Sequence, residues 1–493
     1  MNVMRFVTNK ILFSALPVLL AARLIFAATS CKADVSFKND IAPILLKRCT
    51  GCHGERANLG TYRAQTYQNL MKAGASGLAA VVPGKPTEST LFQRIITRVE
   101  PIRMPKSDDP LTSEQIETVR KWILAGAKYD GKDVTTPLKN LLGVRAQPIA
   151  PTAYRTVMPI TALAFTPGGK EIAVGGYHEI TFWNAQTGAL VRRLPHLPQR
   201  IQALHYSKDG KTLLLAGGTS GEYGEVALLD AQTGARTALQ DTFDDIVLAA
   251  AFSPDGKTVA AGGADASVRL YEVATGKRLW NTKVHGDWVT SISFSFDGRF
   301  VASASKDMTV KVYEVANGSL FATYLGHNRQ YGQYKGQAPV YAVAFLSNSL
   351  TACSAGGGRW LQLWDPIKTQ QESGSAADQE DRFVKQGHER YIEHGFTKEV
   401  YGLIAQEGHV FASSADGMIK EFDVSTLKEV RAYKGHTDWV FALDADVSSH
   451  RLVSGAYNGE VRVWDTQTGQ CLLTFKAMPG SSPAATLAQI STK

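Results

Sequence analysis

One short run of residues in this chain combines side chains that can hold a redox cofactor. Cys49-Thr50-Gly51-Cys52-His53 places two thiols three positions apart and an imidazole directly after the second. Two cysteines with this spacing at the start of a helix can form thioethers with the two vinyl groups of one porphyrin. The adjacent histidine then supplies the proximal ligand of the iron. The motif therefore predicts one covalent haem c, attached through Cys49 and Cys52, with His53 on the iron.

Two other chemistries use a similar pair of cysteines. A zinc site would need two more Cys or His ligands nearby, and residues 34–132 contain no others. A thioredoxin-like redox pair would need strands and a helix in alternation around it, whereas the flanking sequence shows helical spacing. A chance match is the third alternative, and the export signal described below argues against it.

Two helices are predicted on either side of this motif. The first runs through Val35–Arg48 directly into the cysteines, with apolar residues on one side at Phe37, Ile41, Ile44 and Leu45. The second begins after Thr112, a residue type that caps helices, and carries apolar residues at helical spacing at Ile116, Val119, Trp122 and Ile123. Residues 34–132 are therefore predicted to form a small all-α domain.

This order of motifs resembles class I cytochrome c. The segments IAPILLKRCTGCHG, VVPGKPTESTLFQRI, RMP and LTSEQIETVRKWILAGA are more specifically similar to the cytochrome domains of planctomycete-type multidomain proteins. The resemblance implies that Met104, followed by Pro105 and lying before the second helix, is the distal ligand of the haem iron. Met71 lies in a helical run, where a methionine more often belongs to the core. An open or weakly ligated sixth position is the alternative.

The region 158–477 repeats itself seven times, at a spacing of roughly 40 residues with four strand-sized pieces per unit. It resembles WD40 repeats in an S-P-D-G turn at 253–256, in Gly-His pairs at 326–327, 387–388 and 435–436, and in Trp-Asp endings at 364–365 and 464–465. An all-β, seven-bladed propeller is therefore expected. The resemblance implies that the propeller histidines, His285, His327, His388 and His436, bind turn aspartates such as Asp265, Asp307 and Asp416 and have structural roles.

The amino-terminal residues predict export. Arg5 and Lys10 precede an apolar run, Ile11–Ala22, and small residues follow as far as Ala33. This is the arrangement of a secretory signal peptide over 1–33, and the apolar run is too short for a permanent membrane span. The protein is therefore expected in the periplasm or another extracytoplasmic space. Lipidation of Cys31, which would anchor the chain to a membrane, is the alternative.

Two irregular loops and the overall charge bear on partners. The loops His327–Gln337 and Pro366–Lys398 interrupt the repeats and are either docking loops or tolerated insertions. The formal net charge is +8, but the basic residues form no run or stripe, so we expect no nucleic-acid partner. Cys353 and Cys471 lie in apolar runs and are expected in the core.

The sequence thus predicts a signal peptide (1–33), a cytochrome c domain (34–132), a linker (133–157), a WD40 propeller (158–477) and a tail (478–493). The predicted function is electron transfer by an exported mono-haem cytochrome whose propeller docks an unidentified redox partner protein. No catalytic site is visible, so we do not expect an enzyme. The alternative is a redox enzyme, or a subunit of one, in which the cytochrome exchanges electrons with a catalytic site on the propeller or a partner.

Overall fold

The computed structural model describes residues 35–54, 59–106, 108–141, 147–237, 241–328, 338–347, 349–371, 389–392, 395–446 and 449–480. The predicted signal peptide with Cys31, His388 and most of the two irregular loops lie outside these ranges. Within them, no helix is long and apolar enough to cross a membrane.

The first domain is a set of short helices around one apolar core. Its helices are α1 (Ala42–Arg48), preceded by a π-helical turn (Phe37–Ile41), α2 (Tyr67–Leu70), α3 (Thr90–Ile96), α4 (Ser113–Leu124) and α5 (Leu138–Leu141), with 3₁₀ turns at Leu59–Thr61 and Pro86–Glu88. Both predicted helices are present, and their predicted apolar sides face the core. Helix α4 begins with a capping box, in which Thr112 and Gln115 each bind the other's backbone N–H.

Part of the predicted linker belongs to the first domain. Leu138 and Leu141 of α5 are buried in its core, and the Leu138 amide donates to the Gln65 carbonyl at 2.8 Å. The Gln68 amide likewise donates to the Val134 carbonyl at 3.0 Å. The domain therefore continues to Leu141 rather than ending at 132, because this short apolar pair completes its core.

The rest of the described chain forms a seven-bladed propeller, in which each blade is an antiparallel sheet of four consecutive strands. Blades 1 to 3 contain β1 (Leu163–Phe165), β2 (Glu171–Gly175), β3 (Glu179–Asn184), β4 (Leu190–Pro195), β5 (Arg200–Tyr206), β6 (Thr212–Thr219), β7 (Tyr223–Asp230), β8 (Asp241–Phe243), β9 (Val247–Phe252), β10 (Thr258–Gly263), β11 (Val268–Glu272) and β12 (Arg278–Thr282). Blades 4 and 5 contain β13 (Val289–Phe294), β14 (Phe300–Ser305), β15 (Val310–Glu314), β16 (Leu320–Tyr324), β17 (Val340–Phe345), β18 (Ala352–Gly356), β19 (Leu361–Trp364) and β20 (Glu389–Ile392). Blades 6 and 7 contain β21 (Val400–Gln406), β22 (His409–Ser414), β23 (Ile419–Asp423), β24 (Glu429–Tyr433), β25 (Val440–Asp446), β26 (Arg451–Ala456), β27 (Glu460–Asp465) and β28 (Cys471–Lys476). A 3₁₀ turn (Gly326–Asn328) precedes blade 5, and α6 (Pro366–Gln371) follows β19.

The ring closes where blade 1 packs against blade 7. The seam is apolar, with Ile160, Leu163 and Phe165 buried in the same cluster as Val453 and Val461. It is also hydrogen-bonded: the Phe165 amide donates to Asp444 Oδ2 at 2.7 Å, and the Ile160 amide donates to the Ala456 carbonyl at 3.1 Å. The outer strand of blade 7, β28, comes from its own repeat. In the described residues, closure therefore uses packing between complete blades and no exchanged strand.

The segment that leads into the propeller is fixed to blade 1. The Tyr154 hydroxyl donates to Glu179 Oε1 at 2.6 Å, and Arg193 Nε binds Glu179 Oε2 at 2.6 Å. The Glu179 side chain is completely buried, so these donors offset the cost of its desolvation. The Tyr154 amide also donates to the Pro479 carbonyl at 3.1 Å, which joins the two ends of the propeller.

Replacing Tyr154→Phe should lower the free energy of unfolding by about 1–2 kcal/mol, because the buried Glu179 carboxylate loses a donor. Tyr177→Phe is the matched control, since the Tyr177 hydroxyl receives only a long contact of 3.4 Å from Gln199. Urea unfolding followed by tryptophan fluorescence measures both variants. Equal stability of the two would show that Tyr154 does not hold the entry segment.

Candidate functional site

The Cys49–His53 motif lies in a turn at the end of α1. The Cys49 amide donates to the Leu45 carbonyl at 2.9 Å, and the Cys52 and His53 amides both donate to the Cys49 carbonyl, at 3.2 and 2.9 Å. The motif therefore follows directly after the predicted helix, and its cysteines lie in this turn rather than at the start of a helix. Gly54 explains the tight path of the chain, because a Cβ there would lie only 2.4 Å from the Thr50 carbonyl oxygen.

The two cysteines of the motif are free thiols in different surroundings. Cys49 is partly buried and Cys52 is exposed. Burial raises the pKa of the Cys49 thiol to about 12, which the neighbouring Arg48 guanidinium opposes. Cys49 is therefore protonated at neutral pH, and its sulfur packs at the edge of the domain core. Neither sulfur is used by a disulfide, so both are available for covalent attachment of a cofactor.

The His53 ring is oriented by the backbone of the following loop. Its Nδ1 lies 3.3 Å from the Tyr62 carbonyl oxygen, and the two rings meet edge to face at 5.5 Å. A carbonyl oxygen can only accept, so this contact favours the proton on Nδ1 and leaves the Nε2 lone pair for a metal. The Tyr62 hydroxyl in turn donates to the Leu70 carbonyl at 2.8 Å, which fixes the Tyr62 side chain.

The two methionines of this domain occupy different environments. The Met104 amide donates to the Arg94 carbonyl of α3 at 2.9 Å, and the residue is partly buried in the segment between α3 and α4. Met71 caps the end of α2 and packs against the domain core. Trp122 also belongs to that core, where its indole N–H donates to the Lys128 carbonyl at 2.9 Å.

Arg48 connects the cysteine motif to the segment that follows Met104. Its guanidinium lies 3.2 Å from Asp108 Oδ2 and donates to the carbonyls of Asp109 and Pro110. The Arg48 side chain is only 15% exposed. Sequence reasoning missed this contact because a basic residue in the last turn of a helix is ordinary. Only the fold shows that Arg48 contacts residues about sixty positions further along the chain.

The donor set fits a covalent haem. Two free thiols, an oriented imidazole and a methionine thioether in the same small domain are the ligand types that c-type haem requires. In addition, Arg48 Nε is buried without a hydrogen-bond partner in the described part of the chain. An unpaired buried donor beside Cys49 suits a site that receives an anionic group such as a haem carboxylate.

Of the named propeller histidines, His285 has the aspartate partner that was expected, whereas His436 Nδ1 pairs with Glu460 Oε1 at 3.0 Å. His388 lies outside the described residues. His285 lies between Asp307, at 2.8 Å, and Ser303, at 2.6 Å. His436 Nε2 lies 2.7 Å from Ser454 Oγ, which also accepts the Trp464 indole N–H at 2.8 Å. Two of the named turn aspartates have other partners: Asp265 binds Arg269, and Asp416 binds Thr397. Within the described ranges, no group of three His, Cys, Asp or Glu side chains could hold a metal.

Comparisons with known proteins match both parts of the chain. The Planctomycete cytochrome C family model matches residues 49–108, and the WD domain, G-beta repeat model matches 237–272, 276–314 and 427–465. The curated relatives include THO complex subunit 6 of Arabidopsis thaliana, 31% identical over 67 residues, which are 14% of this chain and 18% of that protein. Eukaryotic translation initiation factor 3 subunit I of Botryotinia fuckeliana is 31% identical over 18% of this chain and 25% of its own length.

The chain spans a quarter or less of the length of these relatives. WD repeat-containing protein 18 of Mus musculus is matched over a similarly small part, at 30% identity over 14% of this chain and 19% of that protein. Among solved structures, the computationally designed Ika8 protein aligns at 24% identity with a TM-score of 0.48, covering 71% of this chain and 94% of its own.

Replacing Arg48→Ala should lower the free energy of unfolding of the first domain by about 1–2 kcal/mol, because buried bonds to the 108–110 segment are lost. Arg120→Ala is the matched control: its pair with Glu117 lies on an exposed face of α4, and exposed pairs contribute little. Urea unfolding monitored by far-ultraviolet circular dichroism compares the two. If Arg48→Ala is no more destabilising than Arg120→Ala, Arg48 does not hold this segment.

Proposed function

Because the chain joins a domain that matches the Planctomycete cytochrome C family to a seven-bladed WD40 propeller, we propose that it is a mono-haem electron-transfer protein. Cys49 and Cys52 attach the haem, His53 is its proximal ligand and Met104 its distal ligand. The observation that carries the proposal is the contact of His53 Nδ1 with the Tyr62 carbonyl. This contact leaves Nε2 free for iron, directly beside two unpaired cysteines.

When bound, a haem with one imidazole and one thioether ligand supplies reversible one-electron transfer, at a potential that the thioether raises. The chain's own residues determine how it is held. Two thioethers fix the porphyrin, Tyr62 orients the His53 ring, and Arg48 anchors the segment after Met104. One copy of the motif in the sequence supports one haem per chain.

The proposal includes export from the cytoplasm. The basic residues and short apolar run before Ala33 support a signal peptide, with lipidation of Cys31 as the alternative. Haem attachment to a Cys-x-x-Cys-His motif suits the same compartment. We therefore place the protein in the periplasm or another extracytoplasmic space.

The propeller is proposed to dock the redox partner. Two of the relatives, THO complex subunit 6 and eukaryotic translation initiation factor 3 subunit I, are named as subunits of larger assemblies. A rigid ring with irregular loops also suits docking. Residues 34–132 of the cytochrome domain carry fifteen Lys or Arg and ten Asp or Glu, a net charge of +5. This charge would speed encounter with an acidic partner, and salt would slow that encounter.

Covalent attachment is tested by denaturing electrophoresis with haem staining. The parent chain should retain one haem, since thioethers survive denaturation, and replacing both Cys49→Ala and Cys52→Ala should abolish the stain. Cys471→Ala is the matched control and should stain like the parent. Haem that extracts from the parent into acidified organic solvent would contradict covalent attachment.

Distal ligation is tested by replacing Met104→Ala. The ferric protein should lose its sulfur-to-iron charge-transfer band, and its midpoint potential should fall, because a thioether favours Fe(II). Met71→Leu, in the core of the same domain, should keep both properties. A Met104→Ala variant with the parent's spectrum and potential would rule out this ligand.

A further inference from the structure

Blade 4 carries a cation over an exposed tryptophan. Trp288 directly precedes β13 and its amide donates to Asp287 Oδ1 at 2.7 Å. The Lys306 amide donates to the Trp288 carbonyl at 3.0 Å, which brings the lysine beside the indole. The Lys306 ammonium lies 3.6 Å from the ring centre. This is a cation–π contact, so blade 4 supplies the cation for its own ring.

Blade 7 repeats this backbone arrangement without the cation. Trp439 directly precedes β25, its amide donates to Asp438 Oδ1 at 2.9 Å, and the Tyr457 amide donates to the Trp439 carbonyl at 2.8 Å. Tyr457 therefore holds the position that Lys306 holds in blade 4. Trp439 is 42% exposed and Tyr457 is 49% exposed. In the part of the chain that the structure describes, the cation–π contact of Trp288 has no counterpart at Trp439.

Further aromatic rings surround Trp439 and continue from blade 7 to blade 5. The ring of Trp439 lies 6.1 Å from Tyr401, 6.2 Å from Phe441 and 5.9 Å from Tyr457. The ring of Tyr401, in blade 6, lies 5.1 Å from the ring of Tyr341, in blade 5. We call these five residues the aromatic face. Three of them, Tyr341, Tyr401 and Phe441, are the second residues of β17, β21 and β25.

A carboxylate adjoins the aromatic face. Glu399 directly precedes β21, and among the described residues it forms no ion pair. Burial and then the Glu399 charge raise the pKa of Tyr341. The pKa of Tyr401 rises to about 12 through burial, the Tyr341 phenol and Glu399. Glu399 is half-buried and lies two residues before Tyr401 in the chain. A carboxylate beside ring faces of negative potential favours a bound cation.

We propose that the aromatic face binds a lysine or arginine side chain of a partner protein. The ammonium or guanidinium lies over Trp439, as Lys306 lies over Trp288, and Glu399 supplies the counter-charge. Trp439 and Tyr457 are exposed at the edge of the face, so a polypeptide that carries the cation can cover both rings as it binds. This inference deepens the docking role proposed above and does not depend on the haem ligands.

The test is calorimetric titration of the full-length protein with a capped tetralysine peptide at low ionic strength. The parent should bind this peptide and should not bind tetraglutamate. Trp439→Ala should weaken binding about tenfold, and Glu399→Gln about threefold. Tyr457→Lys should abolish binding, because it supplies the internal cation that blade 4 has. Trp288→Ala is the matched control and should bind like the parent.

The proposal is overturned if the parent does not bind tetralysine, if tetraglutamate binds equally well, or if Trp439→Ala and Tyr457→Lys bind like the parent. Haem staining and the charge-transfer band are recorded on the same variants and should be unchanged. Failure of the cytochrome proposal would appear in those two readouts alone, and failure of the cation site would appear in the titration alone.

Discussion

The packing of blade 1 against blade 7 is the constraint on which the propeller depends. A four-stranded sheet with two apolar faces is unstable alone, and a ring gives each face a neighbour only if the last blade meets the first. Ile160 and Phe165 close this seam against Val453 and Val461, and Asp444 accepts the Phe165 amide across it. The aromatic face likewise needs neighbouring blades to pack together, because its rings come from three successive blades.

The first domain is organised by contacts between segments distant in sequence. Its helices are short, and the cysteine motif follows α1 in a turn instead of lying on a helix. The contacts of Arg48 therefore position the cysteine motif relative to the rest of the domain, because they join the end of α1 to the segment between Met104 and α4. The Tyr62 carbonyl has a similar role for His53. The donor groups of the candidate haem site are thus held by loop-to-loop hydrogen bonds on a small core.

Features with a strong local signal could be predicted from the sequence. The repeats predicted seven blades because the same turn and strand pattern recurs at a regular spacing along the chain. Thr112 predicted the start of α4 because a helix cap depends only on neighbouring residues. The contacts of Arg48 and the packing of Leu138 could not be predicted, since they join residues about sixty or more positions apart. The difference between Lys306 and Tyr457 is visible in the sequence, but its meaning depends on the fold, which places each of them beside an exposed tryptophan.

The hydrogen bond between Tyr154 and Pro479 places the entrance and the exit of the propeller side by side. Every blade is built from four consecutive strands. The ring therefore does not determine which blade comes first along the polypeptide. A circular permutant that begins at another blade and joins these two ends would retain all seven sheets. The same geometry makes the propeller a suitable acceptor for gene fusion, because a domain added at this seam interrupts no strand pairing.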